Sequence, residues 1–268
     1  MYGHGENTEV IGRFRRFAQL WRSRGDNLSE LTSAQSMEAA LVGAARNHLA
    51  GFNTSAIRLR ILYALVRIFG ITEFIETGTY HGATAICAHN CFQIPVRSCE
   101  ASLSNYWVAR GVTCGLAGLH VDRARSEQWL PGQVERARKD ELARPLFYLD
   151  AHAGIEPTSC PILDELSVIV RLRNFLVVID DFSVPDTGFI GRSYGATQLG
   201  PDLIRPTLLS AGIRKIFVPS YSPDLESGHA RAGFTVFFRP AALESIFDKA
   251  QFPLNLLEPL RLDAEAVV

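Results

Sequence analysis

Short runs of apolar residues alternate with longer segments through most of the chain. Seven runs of four to six residues, rich in β-branched and aromatic side chains, predict strands at residues 72–76, 96–100, 119–122, 146–150, 175–180, 215–219 and 234–238. Helix-length segments separate the early runs, at residues 83–92, 103–115, 127–140 and 160–173. Strands that alternate with helices favour right-handed crossovers and a mostly parallel sheet with helices on both faces. The pattern therefore predicts an α/β fold.

The first 52 residues follow a different pattern and predict a helical arm, which leaves residues 53–268 as one α/β domain. The apolar positions of residues 10–24 fall near one face of a helix, at Ile11, Phe14, Phe17 and Trp21. We expect this amphipathic helix to pack on its own domain or on a second subunit, which would form a homodimer. A helix lying on a membrane surface is the alternative.

A second helix is predicted at residues 55–69, directly before the first strand. Asn53, Thr54 or Ser55 can cap its start, and Gly70 follows its end. Its apolar stripe is expected at Ile57, Ile61, Leu65 and Ile68.

Composition narrows the classes of protein to consider. The 268 residues, 47% of them hydrophobic, suffice for one substantial core. The 27 basic and 28 acidic residues leave a net charge of −1, which gives no general attraction to nucleic acid or to an anionic membrane. The five cysteines form no C-x-x-C pair, and no signal peptide or membrane span is recognisable. We therefore expect a cytoplasmic protein that binds neither nucleic acid nor membrane.

Four of the predicted strands end in an acidic residue, namely Glu76, Glu100, Asp150 and Asp180. In an open α/β sheet, ligands bind beyond the carboxyl ends of the strands. A single acid at such a place usually caps a helix or orders a turn. Four together predict a binding site along that edge of the sheet.

The first of these acids opens the stretch E-T-G-T-Y-H-G, residues 76–82. Its glycines are four residues apart, which is not the G-x-G-x-x-G spacing of a dinucleotide site, and no Lys-Ser or Lys-Thr follows as in a phosphate loop. A carboxylate before the turn suits a bound ammonium or hydroxyl better than a phosphate. The turn therefore predicts a ligand that carries a cation.

This stretch resembles the first motif, E/D-x-G-x-x-x-G, of class I S-adenosylmethionine-dependent methyltransferases. Glu100 resembles the acid that holds both ribose hydroxyls in that family, and L-F-Y-L-D-A-H resembles its fourth-strand motif. The resemblance implies a Rossmann-like, seven-stranded, mostly parallel sheet with an antiparallel last strand. It also implies S-adenosylmethionine as the cofactor, bound by Glu76, Thr77, Gly78, Thr79, Tyr80, Gly82, Glu100, Ala101, Ser126 and Asp150.

One position departs from the pattern of that family. Many members read G-D-S after the third strand, with an acid that contacts the adenine amino group, whereas this chain has Ala124-Arg125-Ser126. An arginine can stack on adenine but cannot accept a hydrogen bond. We expect the adenine contacts from Ser126 and Trp129 instead.

A second group of acids predicts a metal. Asp150 ends the fourth strand and Asp180 and Asp181 end the fifth, so neighbouring parallel strands would bring three carboxylates together. That arrangement is costly unless a cation such as Mg²⁺ neutralises it. The set resembles the metal site of macrocin O-methyltransferase-like enzymes and of catechol O-methyltransferases. The structural alternative is that Asp180 orders the turn and Asp181 caps the loop.

The resemblance implies methyl transfer to a hydroxyl of a small molecule, a sugar or a natural product. Asp150 or His152 would take the proton, and His152 could equally bind a metal or hold its own loop. Residues 182–200 and 220–231 are expected to wall the acceptor pocket, with contacts from Tyr194, Tyr221 and His229. Two alternatives stay open here: a metal-independent methyltransferase with His152 as the base, and a non-catalytic protein that binds S-adenosylmethionine.

Overall fold

The computed structural model describes residues 51–151, 160–226, 231–248 and 253–263. Three sets of predictions lie outside the described residues: the helix at 10–24 with the dimer expected through it, the roles of His152, and the contact from His229. In the ranges that are described, no helix is long and apolar enough to cross a membrane.

A single large sheet forms the centre of the described part of the chain. Its eight strands are β1 Glu73–Thr77, β2 Val96–Glu100, β3 Leu119–Arg123, β4 Pro145–Leu149, β5 Phe175–Ile179, β8 Lys215–Pro219, β9 Thr235–Arg239 and β10 Leu257–Arg261. A separate hairpin pairs β6 Ser193–Tyr194 with β7 Thr197–Gln198. The order across the large sheet is β10-β8-β9-β5-β4-β1-β2-β3.

The strand directions confirm the predicted Rossmann-like fold. Strands β1 to β5 are mutually parallel, with β1 between β4 and β2. Strand β9 returns antiparallel to both β5 and β8, as predicted for residues 234–238. The strand order reverses beside β1, and at this kind of reversal a ligand crevice opens in doubly wound sheets.

The eighth strand, β10, was not predicted. It pairs antiparallel with β8 along the edge of the sheet, and Glu258, Pro259 and Arg261 within it are exposed. Proline and charged residues are tolerated at a sheet edge, where one side of the strand makes no ladder. The same residues give the sequence the pattern of a loop.

Helices cover both faces of the sheet, so every residue of β4 and β5 is buried. The helices are α1 Ala56–Ile68, α2 Ala83–Phe92, α3 Leu103–Thr113, α4 Ser126–Lys139, α5 Ile162–Ile169, α6 Pro201–Ser210 and α7 Ser245–Asp248. Helices α4, α5 and α6 contact each other in sequence, and α1 contacts α2. Right-handed crossovers place the helices after β1 and β3 on opposite faces.

The buried face of α1 differs from the prediction. Ser55 caps the helix as expected, accepting a hydrogen bond from the backbone N–H of Arg58 at 3.1 Å. Ile61 and Leu65 are buried, but Ile68 is 47% exposed. The Arg58 side chain, which is not part of the predicted apolar stripe, is fully buried. The helix is therefore rotated so that a cation faces the interior, and that cation requires partners.

Candidate functional site

A cleft of about 740 Å³ lies beyond the carboxyl ends of the central strands. The parallel register brings these ends level, because Thr77 pairs with both Cys99 and Leu149, and Leu149 pairs with Ile179. Of the residues predicted to bind the cofactor or a metal, the cleft is lined by Gly78, Tyr80, Glu100, Ala101, Ser126, Asp150 and Asp181. These residues come from five different turns, so the fold rather than local sequence brings them together.

Gly78 lets the turn after β1 pass close to the end of β4. Its φ is +83°, and a Cβ at this position would lie 2.4 Å from the carbonyl oxygen of Asp150. The N–H groups of Gly78 and Thr79 both donate to the carbonyl of Cys99 at 3.0 Å. A side chain at position 78 would push apart the two backbones that form the floor of the cleft.

Four residues predicted to bind the cofactor do not line the cleft. Glu76, Thr77 and Thr79 are buried beneath the turn, and Gly82, with φ +87°, forms the start of α2. The hydroxyl of Ser98 donates to Glu76 Oε2 at 2.5 Å and lies 2.6 Å from Thr79 Oγ1. These residues therefore shape the turn from below, and direct contacts from them to a ligand stay a prediction.

Glu76 is unusually placed for a carboxyl group. Burial raises its pKa to about 8, against the opposing hydrogen bond from Ser98, and the nearby Glu100 adds to the rise. Its Oε1 atom is buried without a hydrogen-bond partner among the described residues. The protonated form of Glu76 is thus favoured in the interior at neutral pH.

Glu100, at the end of β2, is held by the backbone on both of its oxygens. Oε2 accepts from the N–H of Tyr80 at 2.7 Å, and Oε1 accepts from the N–H of Ser102 at 2.8 Å. Burial raises the pKa of Glu100, while these amides oppose the rise. The backbone of Ala101 and the side chain of Asn105 also donate to Glu100, and a carboxylate has about four acceptor positions in all. A fixed carboxylate at the wall of a cleft suits two neighbouring hydroxyls of a ligand.

Of the two residues predicted to contact adenine, Ser126 and Trp129, only Ser126 lines the cleft. Ser126 lines the cleft, as do Arg125 and Glu127, whose Nε and Oε1 atoms form an ion pair at 2.5 Å. Trp129 does not line it. Its indole N–H donates to Asp122 Oδ2 at 2.8 Å, and the ring is buried beside α4's own core positions. The expected adenine contact from Trp129 is therefore wrong.

Asp180 lies below the cleft and has its own cation. One guanidinium nitrogen of Arg58, Nη1, donates to Asp180 Oδ1. The hydroxyl of Tyr148 donates to Oδ2 at 2.5 Å, and the N–H of Asp181 donates to Oδ1 at 2.8 Å. Asp180 as a whole is 2% exposed. Its charge is neutralised from within the protein.

The same arginine also binds the loop after β8. Arg58 Nη2 donates to the carbonyl of Ala232 at 2.6 Å and lies 3.5 Å from Glu226 Oε1. The guanidinium carbon is 4.8 Å from the ring centre of Phe234. Burial acts to lower the pKa of Arg58, but the acidic groups around it, Asp180 first, raise the pKa above its ordinary value.

The predicted magnesium site does not fit these residues. Arg58 and the Asp181 N–H donate to Oδ1 of Asp180, Tyr148 donates to Oδ2, and the amide of Asn53 lies 3.4 Å from both oxygens. These donors leave Asp180 no free lone pair for an ion shared with the cleft. In the described ranges, no group of three or more His, Cys, Asp or Glu side chains is arranged to hold a metal ion. The prediction that Asp150, Asp180 and Asp181 bind Mg²⁺ is corrected accordingly, and Asp180 orders the turn.

Asp150 and Asp181 keep their places in the cleft. Burial and the carboxylates of Asp180, Asp181 and Glu76 raise the pKa of Asp150 well above its ordinary value, with Arg58 opposing. A carboxyl group with a raised pKa holds a proton more readily than a solvated aspartate does. In its ionised form, Asp150 can therefore accept a proton at the floor of the cleft.

The described parts of residues 182–200 and 220–231, predicted to wall the acceptor pocket, place different residues at the cleft than expected. Tyr221 is buried and donates its hydroxyl to Glu226 Oε1 at 2.6 Å, so it supports the Arg58 network and does not line the cleft. Tyr194 lies next to Cys160, which lines the cleft together with Arg192. The N–H of Arg192 donates to the carbonyl of Asp181 at 2.7 Å, which fixes this loop to the end of β5.

Comparisons with known proteins gave similarities of structure alone. No protein-family model matches the chain, and no curated protein matches it. Among solved structures, the O-methyltransferase from Bacillus cereus in complex with SAH is 20% identical and has a TM-score of 0.46, covering 76% of this chain and 90% of that chain.

Two further similar structures are also methyltransferases. The O-methyltransferase TomG from Streptomyces achromogenes, in complex with SAM, is 19% identical, with a TM-score of 0.45 and coverage of 74% of this chain and 87% of that chain. A SAM-dependent methyltransferase from Aquifex aeolicus is 14% identical, with a TM-score of 0.41 and coverage of 68% and 92%. Similarity at this level does not establish what the chain binds or catalyses.

Proposed function

We propose that this protein is an S-adenosylmethionine-dependent methyltransferase that methylates a hydroxyl of a small molecule. The observation that carries the proposal is Glu100, a carboxylate fixed by two backbone amides at the wall of a large cleft beyond the carboxyl ends of the strands. The two oxygens of a carboxylate fixed in this way can each accept a hydrogen bond from one of two vicinal ribose hydroxyls. The cofactor of the reaction would lie with its ribose at Glu100 and its adenine toward Ser126.

The acidic floor of the cleft supports a cationic donor. Asp150 and Asp181 line the cleft, and Gly78 keeps the turn after β1 low enough to leave room above it. A sulfonium is attracted to carboxylates in a partly buried site, where the effective dielectric constant is below that of water. Methyl transfer itself is an in-line displacement, so alignment of donor and acceptor is the main task of the protein.

The acceptor hydroxyl must lose a proton when it takes the methyl group. Asp150 is the described group best placed to receive it, because it lines the cleft and its surroundings raise its pKa. Since Arg58 already neutralises Asp180, we infer that the reaction does not require a divalent cation at these acids. His152 stays a candidate base from the sequence, in the segment outside the described residues.

The proposal predicts a specific loss of affinity in the variant Glu100→Ala. We expect the affinity for S-adenosylhomocysteine to fall by roughly 1.5–3 kcal/mol, or about 10- to 150-fold, because a charged hydrogen-bond partner is removed. Isothermal titration calorimetry measures this change. Asp164→Asn is the matched control, because it removes an exposed carboxylate that lines the same cleft. A dissociation constant that is unchanged in Glu100→Ala contradicts the assignment.

The titration together with an assay of methyl transfer from S-adenosylmethionine separates catalysis from binding alone. A protein that binds S-adenosylhomocysteine and also methylates a hydroxylated compound supports the proposal. Binding without transfer to any of a broad set of sugars and phenols would favour the non-catalytic alternative instead.

A further inference from the structure

A left-handed turn leads into α1 at the edge of the cleft. Phe52, Asn53 and Thr54 have φ values of +58°, +58° and +57°. Residues other than glycine rarely adopt this conformation, and three in succession are rarer still. Such backbone persists only where surrounding contacts hold it, and it is concentrated at ligand-binding and catalytic sites.

The contacts that hold the turn are visible on both sides. The Phe52 ring is fully buried and packs against Phe74, Phe92 and Tyr148, with ring centres 5.3–6.1 Å apart. Ser55 then caps α1. Between these two anchors, Asn53 is half-buried and lines the cleft.

The side chain of Asn53 is oriented by the Arg58–Asp180 pair. Its Nδ2 lies 3.4 Å from both oxygens of Asp180. Because a carboxylate accepts hydrogen bonds and cannot donate them, the amide NH₂ faces Asp180 and the carbonyl oxygen Oδ1 faces away from it. Arg58 holds Asp180 in place, so the orientation of the amide is fixed by two buried charges.

The position of Asn53 along the sheet separates it from the ribose site. Asn53 contacts Asp180 at the end of β5, whereas Glu100 ends β2. The order β5-β4-β1-β2 puts three strand spacings between these two strand ends. Three spacings amount to roughly 14 Å. Asp181 and Arg192 line the cleft at the β5 side as well. With the ribose of the donor at Glu100, the β5 side of the cleft remains for the acceptor.

We propose that Asn53 positions the methyl acceptor, with Oδ1 accepting a hydrogen bond from a hydroxyl of the acceptor. This inference rests on the proposed function and adds to it a specificity-determining residue. It also gives Asp180, at the end of β5, a role: Asp180 orients Asn53, and Arg58 balances the charge of Asp180.

Two glycine variants test the proposal. Asn53→Gly removes the carboxamide and also relieves the left-handed strain, so the fold is expected to keep its melting temperature or gain. Thr54→Gly is the matched control, because it relieves the same strain at the next, exposed residue and leaves the carboxamide in place. Steady-state methyl transfer is measured with catechol and methyl glucoside as phenolic and sugar acceptors, and binding of S-adenosylhomocysteine is measured by calorimetry.

We expect the KM for the acceptor to rise about fivefold to tenfold in Asn53→Gly, as for the loss of one hydrogen bond. The acceptor KM of Thr54→Gly should equal that of the wild type, and both variants should keep the wild-type affinity for S-adenosylhomocysteine. An acceptor KM that is equal in Asn53→Gly and wild type overturns the inference alone. An equal rise in Thr54→Gly overturns it too, because loop flexibility would then be the cause. A wild-type protein that binds S-adenosylhomocysteine but methylates neither acceptor overturns the inference together with the proposed reaction on these hydroxyl classes.

Discussion

Replacing Arg58 by methionine is expected to lower the free energy of unfolding by about 3–5 kcal/mol, because it leaves two buried carboxylates without their cation. Asp180 and Glu226 are both at least nine-tenths buried, and Arg58 is the cation that contacts them among the described residues. Methionine keeps most of the side-chain length, so the loss reports charge more than packing. Urea denaturation followed by circular dichroism measures the change.

Two further variants show whether charge is the cause. Arg67→Met removes an exposed arginine from the same helix and should change the free energy of unfolding by less than about 0.5 kcal/mol. The triple variant Arg58→Met, Asp180→Asn, Glu226→Gln removes all three charges and should recover a large part of the lost stability. If Arg58→Met is as stable as wild type, the two carboxylates have another source of compensation.

Glu76→Gln is expected to stabilise the protein at alkaline pH by roughly 5 kcal/mol, because burial raises the pKa of Glu76 from 4.5 to about 8. The folded protein holds the Glu76 proton more tightly than the unfolded chain, since burial moves the pKa from 4.5 to about 8. The wild type therefore loses free energy of unfolding as the pH rises from about 4.5 to about 8. Below this window both states are protonated, and above it the difference is constant.

The measurement is a series of urea denaturations of the ligand-free protein at pH 5, 7 and 9, values that span the window about the shifted pKa. Glutamine can still accept the hydrogen bond of Ser98, so the two proteins should differ little at the acidic end. Glu258→Gln, on the exposed edge strand β10, removes the same charge and should show no gain that grows with pH. A Glu76→Gln variant that tracks the wild type at every pH would mean that Glu76 is not desolvated.

Most of the sheet could be predicted because local pattern and burial agree there. The apolar runs of β4 and β5 are buried on both faces, and parallel strands covered on both faces have this composition. The edge strand β10 could not be predicted in the same way, since Pro259 and the charges beside it are acceptable only at an edge. Which strand forms the edge is a property of the whole fold.

The site divides along a similar line. Glu100 and Asp150 could be placed at the cleft from their positions at strand ends, a rule that depends on the sheet alone. The role of Asp180 could not, because its cation is 122 residues earlier in the chain, at a helix position outside the predicted apolar stripe. Compensation between distant charges leaves no local signal. Trp129 and Tyr221 were misplaced for a different reason: each donates a hydrogen bond to a nearby acid, Asp122 and Glu226 respectively, which holds the ring away from the cleft.

The most direct test of the division of roles among these acids is a crystal structure of the protein with S-adenosylhomocysteine and excess Mg²⁺. We predict that the ribose hydroxyls bind Glu100, that Arg58 stays on Asp180, and that the amide oxygen of Asn53 faces the open end of the cleft. An ion bound jointly by Asp150, Asp180 and Asp181, with Arg58 displaced, would contradict the assignment of an internal cation.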